Sequence, residues 1–167
     1  MVGEDKKYDF YIGLDPGLSG AIGIVDHAGR SILSSDFPTI KVGKRKELHL
    51  SHLVNLIKPY SKRSKVILEK VNSRPGQGVV SVFSFGRSFG MLEGCIATLK
   101  TPYELVTPQR WMKSMLADVE GTDTKGRAIL AASRLWPEMD FSRKKDHNRA
   151  SALLLGEYGR RMEGVAK

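Results

Sequence analysis

Phe10-Tyr11-Ile12-Gly13-Leu14-Asp15-Pro16-Gly17-Leu18-Ser19-Gly20-Ala21-Ile22-Gly23-Ile24-Val25-Asp26 is the stretch from which the rest of the chain is organised. Phe10, Ile12 and Leu14 recur at period two, so they share one face of a strand. Residues 15–20 are turn chemistry, and residues 21–26 read as a second strand. A turn at 27–30 and a third strand at 31–37 complete a β-meander. Asp15 therefore stands where a strand meets a turn, a place where a carboxylate is held firmly yet opens to solvent. An Asx-turn residue closing the hairpin uses the same position. The residue alone leaves both roles open.

Outward from the meander, Leu50, Leu53, Val54 and Ile57 recur at helical spacing until Pro59 closes the helix. Residues 65–71 form a short apolar strand that meets a charge at Glu69, and 72–78, with Arg74, Pro75 and two glycines, form a loop. Residues 79–99 read as a long helix and 103–106 as a fifth strand. Thr107 before Pro108 is an N-cap with proline at the first helical position, opening a helix through Met115. Further helices are expected at 124–135 and from about 146 to 162. The order βββ-α-β-α-β-α-α-α indicates an α/β protein with a mixed five-stranded sheet flanked by helices. The 167 residues make one domain, 1–167, with 1–7 a loose end.

Lys and Arg number 27 against 18 Asp and Glu, a formal net charge of +9 that attracts polyanions. Nucleic acid is the leading expected partner, and the basic runs 41–46, 58–65 and 143–145 are where it would bind. One cysteine, Cys95, excludes an internal disulfide and a cysteine-based zinc site. No apolar run is read as reaching the roughly 20 residues of a membrane span, and residues 1–10 lack a signal-like apolar region. A cytoplasmic protein with no membrane partner is the expectation.

Four groups of residues can carry chemistry. Glu69 ends an apolar strand where a lone charge would be costly to bury unpaired; aimed outward before a Gly-containing loop, it meets whatever Asp15 faces, or pairs with a lysine. Asp146 begins the last helix, as an N-cap or as an acidic metal ligand. Carboxylates drawn from two strands and a helix, without cysteine, select a hard ion such as Mg2+ or Mn2+. Lys113 and Lys125 stand near helix starts or turns where an ammonium can approach a phosphate. His49 and His52, three apart, read as a solvated helix face. Gly86, Gly90 and Gly94 each cost about 1 kcal/mol relative to alanine in a helix, so the stripe marks close approach of another backbone, within this fold or across a homodimer seam. Phe83, Phe85 and Phe89 read as core.

These pieces resemble the RuvC-type Holliday-junction resolvases, especially their phage and viral branch. The resemblance rests on Tyr11-Ile12-Gly13-Leu14-Asp15-Pro16-Gly17 with Gly20, on Val66-Ile67-Leu68-Glu69-Lys70-Val71, and on Pro75-Gly76-Gln77-Gly78 with Gly86 and Gly90. It continues through Thr107-Pro108-Gln109-Arg110-Trp111-Met112-Lys113, Thr124-Lys125 and Arg149-Ala150-Ser151-Ala152-Leu153-Leu154, spanning about residues 8–162. It implies an RNase H-like fold with helices on both faces of the sheet, a homodimer, and paired nicks across a four-way DNA junction with two Mg2+ or Mn2+ ions per active site. Asp15 and Glu69 would be metal ligands, and Lys113 and Lys125 would sit near the scissile phosphate. A phage-encoded protein acting in a bacterial host fits this branch.

The last motif departs from the pattern. The family's closing helix offers acidic or histidine ligands three residues apart on its first turn, and those positions are Asn148 and Ser151 here. Asp146 substitutes, or the site is weakened, or Ser151 inactivates it. No aromatic follows Glu69 within residues 71–82, where several members place one. The rival readings are a branched-DNA-binding protein that kept the fold without catalysis and, more remotely, a small actin-like ATPase using the turn at 13–17 for phosphate.

Overall fold

A computed structural model describes residues 7–72 and 76–165. β1 (Phe10–Asp15), β2 (Ala21–Asp26) and β3 (Ser31–Asp36) form the antiparallel meander. β6 (Ser64–Glu69) runs parallel to β1, and β7 (Tyr103–Val106) parallel to β6, giving the sheet order β3-β2-β1-β6-β7. Between β3 and the first helix lies a separate antiparallel hairpin, β4 (Thr39–Val42) and β5 (Arg45–Leu48). The helices are α1 (Leu50–Ile57), α2 (Val79–Thr98), α3 (Pro108–Met115), α4 (Thr124–Leu135) and α5 (Asp146–Val165).

Strand alternation divides the core in two. Ile12, Leu14, Ile22, Ile24, Val66 and Leu68 pack against Leu53 and Ile57 of α1 and Leu92 and Ile96 of α2. Tyr11, Val25, Ile67 and Val106 face the other way, against Trp111 of α3, the alanines of α4 and Leu153–Tyr158 of α5. The expected mixed five-stranded sheet, with helices on both faces, is what forms.

α5 lies almost directly on the sheet. A Cβ at Gly13 would overlap the backbone of Ala152, and one at Gly23 the backbone of Leu153, so only glycine allows this approach. Further along the helix, Gly156 sits against Tyr11 and Gly159 against Ile67. Advancing along α5 thus retreats along β1, and the N-terminal turn of α5 overhangs the C-terminal end of β1.

Several expectations change. The hairpin Thr39–Leu48 was not expected; only its Gly43, at φ +61, signals the tight turn. Gly86, Gly90 and Gly94 make no close internal contact, because open space surrounds each of them. Phe83 is not core but 73% exposed, since the N-terminal half of α2 has no layer over that side. α2 is also long and apolar enough, by length and composition, to cross a membrane, contrary to the expectation of no such run. In this fold it packs Leu92 and Ile96 on the sheet, and Arg87 pairs with Glu47 of β5 at 2.9 Å. Thr107 occupies the N-cap position before Pro108 but makes no capping bond through its side chain. His49 caps α1, its Nδ1 accepting from the His52 amide at 3.2 Å. Residues 73–75, including Arg74 and Pro75 of the expected loop, lie outside the described residues.

Candidate active site

The parallel pairing of β1 with β6 sets Leu14 opposite Leu68, so Asp15 and Glu69, one residue on, end the two strands side by side. Alternation decides which way they point. Asp15 follows Gly13, and Glu69 follows Ile67, on the face covered by α5 and α3. Their carboxyl groups hydrogen-bond to each other. Burial, then the negative charge of Glu69, then that shared bond push the Asp15 pKa well above the usual carboxylate range. Burial also raises Glu69, opposed by the hydrogen bonds it accepts from Trp111 and Asp15. Both carboxyls are thus pushed toward the protonated form, Asp15 the more strongly. Two adjacent carboxylates cannot both ionise cheaply without a cation between them.

Trp111 is the residue that sequence alone left without a role. Fully buried in α3, it donates Nε1–H to Glu69 Oε1 at 2.8 Å and fixes that carboxylate's orientation. The available signal was general: a buried tryptophan N–H needs an acceptor, without saying which.

From above, the first turn of α5 brings Asn148 over the turn after Asp15, where its Nδ2 donates to the Ser19 carbonyl at 2.6 Å. Ser151 follows one turn later, immediately before Ala152 at the Gly13 contact, and is half-buried. Asp146, the other acid expected to serve here, is occupied by basic partners. Its buried carboxylate accepts from the Arg143 amide at 2.8 Å, from the Arg143 guanidinium at 2.6 Å and from Arg149 at 3.1 Å. Burial pushes its pKa up, but these bonds outweigh burial and hold it at about 2. Arg143 and Lys145 also reach Asp36 at the end of β3, so the cluster fastens the start of α5 to the sheet.

Lys113 lies exposed on α3, two residues past Trp111, and Lys125 lies exposed on the first turn of α4, which Asp123 caps. Among the described residues neither forms an ion pair or hydrogen bond with Asp15 or Glu69. Beside Glu69 opens a cleft of about 650 Å3, lined by Lys70, Asn72, Gln77, Phe85, Phe89 and Thr107 among others. Phe85 and Phe89 are thus partly buried cleft walls rather than deep core.

The donor set suits a hard divalent cation at the Asp15–Glu69 pair. It does not contain a third acid: among the described residues no group of three or more His, Cys, Asp or Glu could hold a metal ion. The positions on the closing helix expected to hold ligands are neutral here, Asn148 and Ser151.

No family model and no curated protein matches the sequence. Solved structures do match. RuvC of Thermus thermophilus in complex with a Holliday junction substrate superposes with a TM-score of 0.66 at 15% identity, covering 92% of this chain and 96% of that one. Thermus thermophilus RuvC in a second structure gives 0.58 at 14% identity over the same shares. The yeast mitochondrial Holliday junction resolvase gives 0.55 at 12% identity, covering 96% of this chain and 81% of that one. The chain has the fold of these proteins.

Proposed function

We propose that this chain is a divalent-metal-dependent endonuclease that acts on branched DNA, nicking four-way junctions in symmetric pairs as a homodimer. The observation that carries the reading is the Asp15–Glu69 pair: two acids end adjacent strands side by side and hydrogen-bond to each other, in a fold that is that of junction resolvases. The net charge of +9 supports a polyanionic substrate.

Within this reading Asp15 and Glu69 hold the metal, and Trp111 keeps Glu69 in its binding orientation. Asn148 secures the turn after Asp15 and offers a neutral oxygen, as does Ser151. When bound, Mg2+ or Mn2+, as one ion or two, supplies an activated water and offsets charge on the leaving 3′ oxygen. Lys113 and Lys125, both exposed, would be drawn toward the phosphates of a bound strand. The homodimer is supported by α2, where Val79, Phe83, Gly86, Gly90, Gly94 and Ala97 recur at helical spacing on an exposed face. A second copy packed along the glycines would cover Val79 and Phe83, which are 84% and 73% exposed in the single chain.

A second reading has its own support. With Ser151 where an acid would complete the site, the chain also suits a junction-binding protein with little or no catalysis. Incubating a labelled four-way junction with the protein, with and without Mg2+, separates the two. Paired nicks that require Mg2+ support the nuclease; tight junction binding without cleavage supports the binder; no preference for the junction over linear duplex overturns both.

A further inference from the structure

The hairpin formed by β4 and β5 leaves the fold at the same edge as the acidic pair. Asp36, the last residue of β3, is paired with Ala21, which is paired with Asp15, and β4 begins three residues beyond Asp36. Both ends of the hairpin are anchored: Phe37 and Leu48 are buried in the core, and the His49 amide donates to the Pro38 carbonyl at 2.8 Å. Arg87 of α2 binds Glu47 through two bonds of 2.9 and 3.0 Å. The hairpin is therefore a held projection rather than a slack loop.

Its charge is lopsided. Lys41, Lys44, Arg45 and Lys46 are all exposed, and among the described residues none of the four forms an ion pair. The one carboxylate of the hairpin, Glu47, is taken by Arg87. Lys41 is paired directly with Lys46 across the ladder, an arrangement that costs free energy because like charges face each other. Glu47 shares a face with Ile40 and turns it toward α2, so Lys41 and Lys46 occupy the opposite face. The turn at Gly43 has open space around it, leaving the two-stranded tip thin.

We propose that the Thr39–Leu48 hairpin is an arm that grips the phosphate backbone of a duplex and holds it against the Asp15–Glu69 end of the sheet. The inference rests on the branched-DNA reading above and adds to it the element that holds a duplex arm. Paired lysines without counter-charges are what neighbouring phosphates neutralise, and such contacts position DNA without reading its sequence.

The test compares the intact protein with K41Q/K46Q and with a variant that also carries K44Q and R45Q. A control, K7Q/K100Q, removes two exposed charges that lie outside the basic runs, just before β1 and β7, at the end of the sheet opposite the acidic pair. Binding to a labelled four-way junction and to a linear duplex is measured without Mg2+ over a salt series, with circular dichroism checking the fold. The first variant should flatten the slope of log K against log salt by about two units for each hairpin engaged, and the second by up to about four for each. Affinity at moderate salt should fall about tenfold or more on both DNAs, and the control should change little.

An unchanged slope in both hairpin variants overturns the arm, as does an equal loss in the control. A dimer that dissociates in light scattering while the slope stays unchanged also overturns it, assigning the hairpin to contact between copies. If the intact protein shows no preference for the junction, the branched-DNA reading fails, while the arm stands if the variants still lower duplex affinity. Absence of any DNA binding ends both.

Discussion

Asp15 and Asp146 are both carboxylates near one end of the sheet, and their company separates them. Asp15 faces another acid, Glu69, and is pushed toward the protonated form. Asp146 sits between Arg143 and Arg149 and stays ionised, its pKa held at about 2. The second arrangement is complete in itself: two guanidiniums and an amide satisfy the acid, and it fastens α5. The first is incomplete, since it needs a proton or a cation from outside the chain to be tolerable. Acids that the fold leaves unsettled in this way mark chemistry more often than architecture.

The largest expected effect comes from removing the unsettled acid. Asp15→Asn should lower cleavage of a four-way junction by about a thousandfold or more, while junction affinity without metal stays within about threefold. The same variant should melt at the same or a higher temperature than the parent in metal-free buffer at neutral pH, because it removes a carboxyl that burial disfavours. Lost stability together with retained cleavage would reverse the contrast between the two aspartates.

Next in size is Ser151→Asp. A third carboxylate on the second turn of α5 should raise Mg2+-dependent cleavage by about a hundredfold, read as single-turnover rates on the junction. Because the new charge faces DNA phosphates, metal-free junction binding should weaken slightly. An efficient serine form that gains nothing would place the missing ligand elsewhere.

Asp146→Asn tests the settled partner. Urea unfolding should show a loss of about 2–3 kcal/mol, less than for a fully buried triad because Arg143 is half exposed. Any loss of cleavage should then be no larger than the loss of folded protein explains.

The smallest effect is in pH, and the two acids carry opposite signs. Asp146, with a depressed folded pKa, contributes stability present above its usual value near 3.8 and lost as pH falls through about 2. Asp15 and Glu69, with raised folded values, contribute stability that is present below the ordinary carboxylate range and lost as pH rises through their raised values. Thermal melts without metal should therefore decline modestly from mildly acidic to neutral pH. Mg2+ should reverse that decline, and by more at higher pH. A melting temperature that is flat in pH and indifferent to Mg2+ would count against an acidic pair pushed toward the protonated form.

The strands and helices of the main sheet were legible because their signals are local: period-two apolar residues in β1 and β2, Pro59 after α1, Thr107-Pro108 before α3. The hairpin was not, because four exposed cations in six residues bury nothing and leave no apolar alternation to read. Phe83 reads as core by type and helical spacing, yet α2 extends past the layer that would cover it. At the site, Asp15 and Glu69 were legible as acids ending strands. Their adjacency and common face depend on the β1–β6 register, a pairing between residues more than fifty apart, which no local pattern encodes. The partners of Asp146 and Glu69 are also matters of placement: Arg143, Arg149 and Trp111 were all visible as residues, and only packing assigns them.

The glycine seam under α5 has one more consequence, for anyone wishing to alter this protein. Where most helices rest on a cushion of side chains, this one rests on strand backbone at Gly13 and Gly23, so its height above the sheet is not adjustable by repacking the core. Enlarging a nearby residue cannot nudge the helix closer, and any side chain at either glycine lifts it away. Changing the reach of the site therefore requires new atoms on the existing helix, a longer side chain at 148 or 151, rather than a shifted scaffold. That rigidity makes ligand chemistry the free variable and geometry the constant.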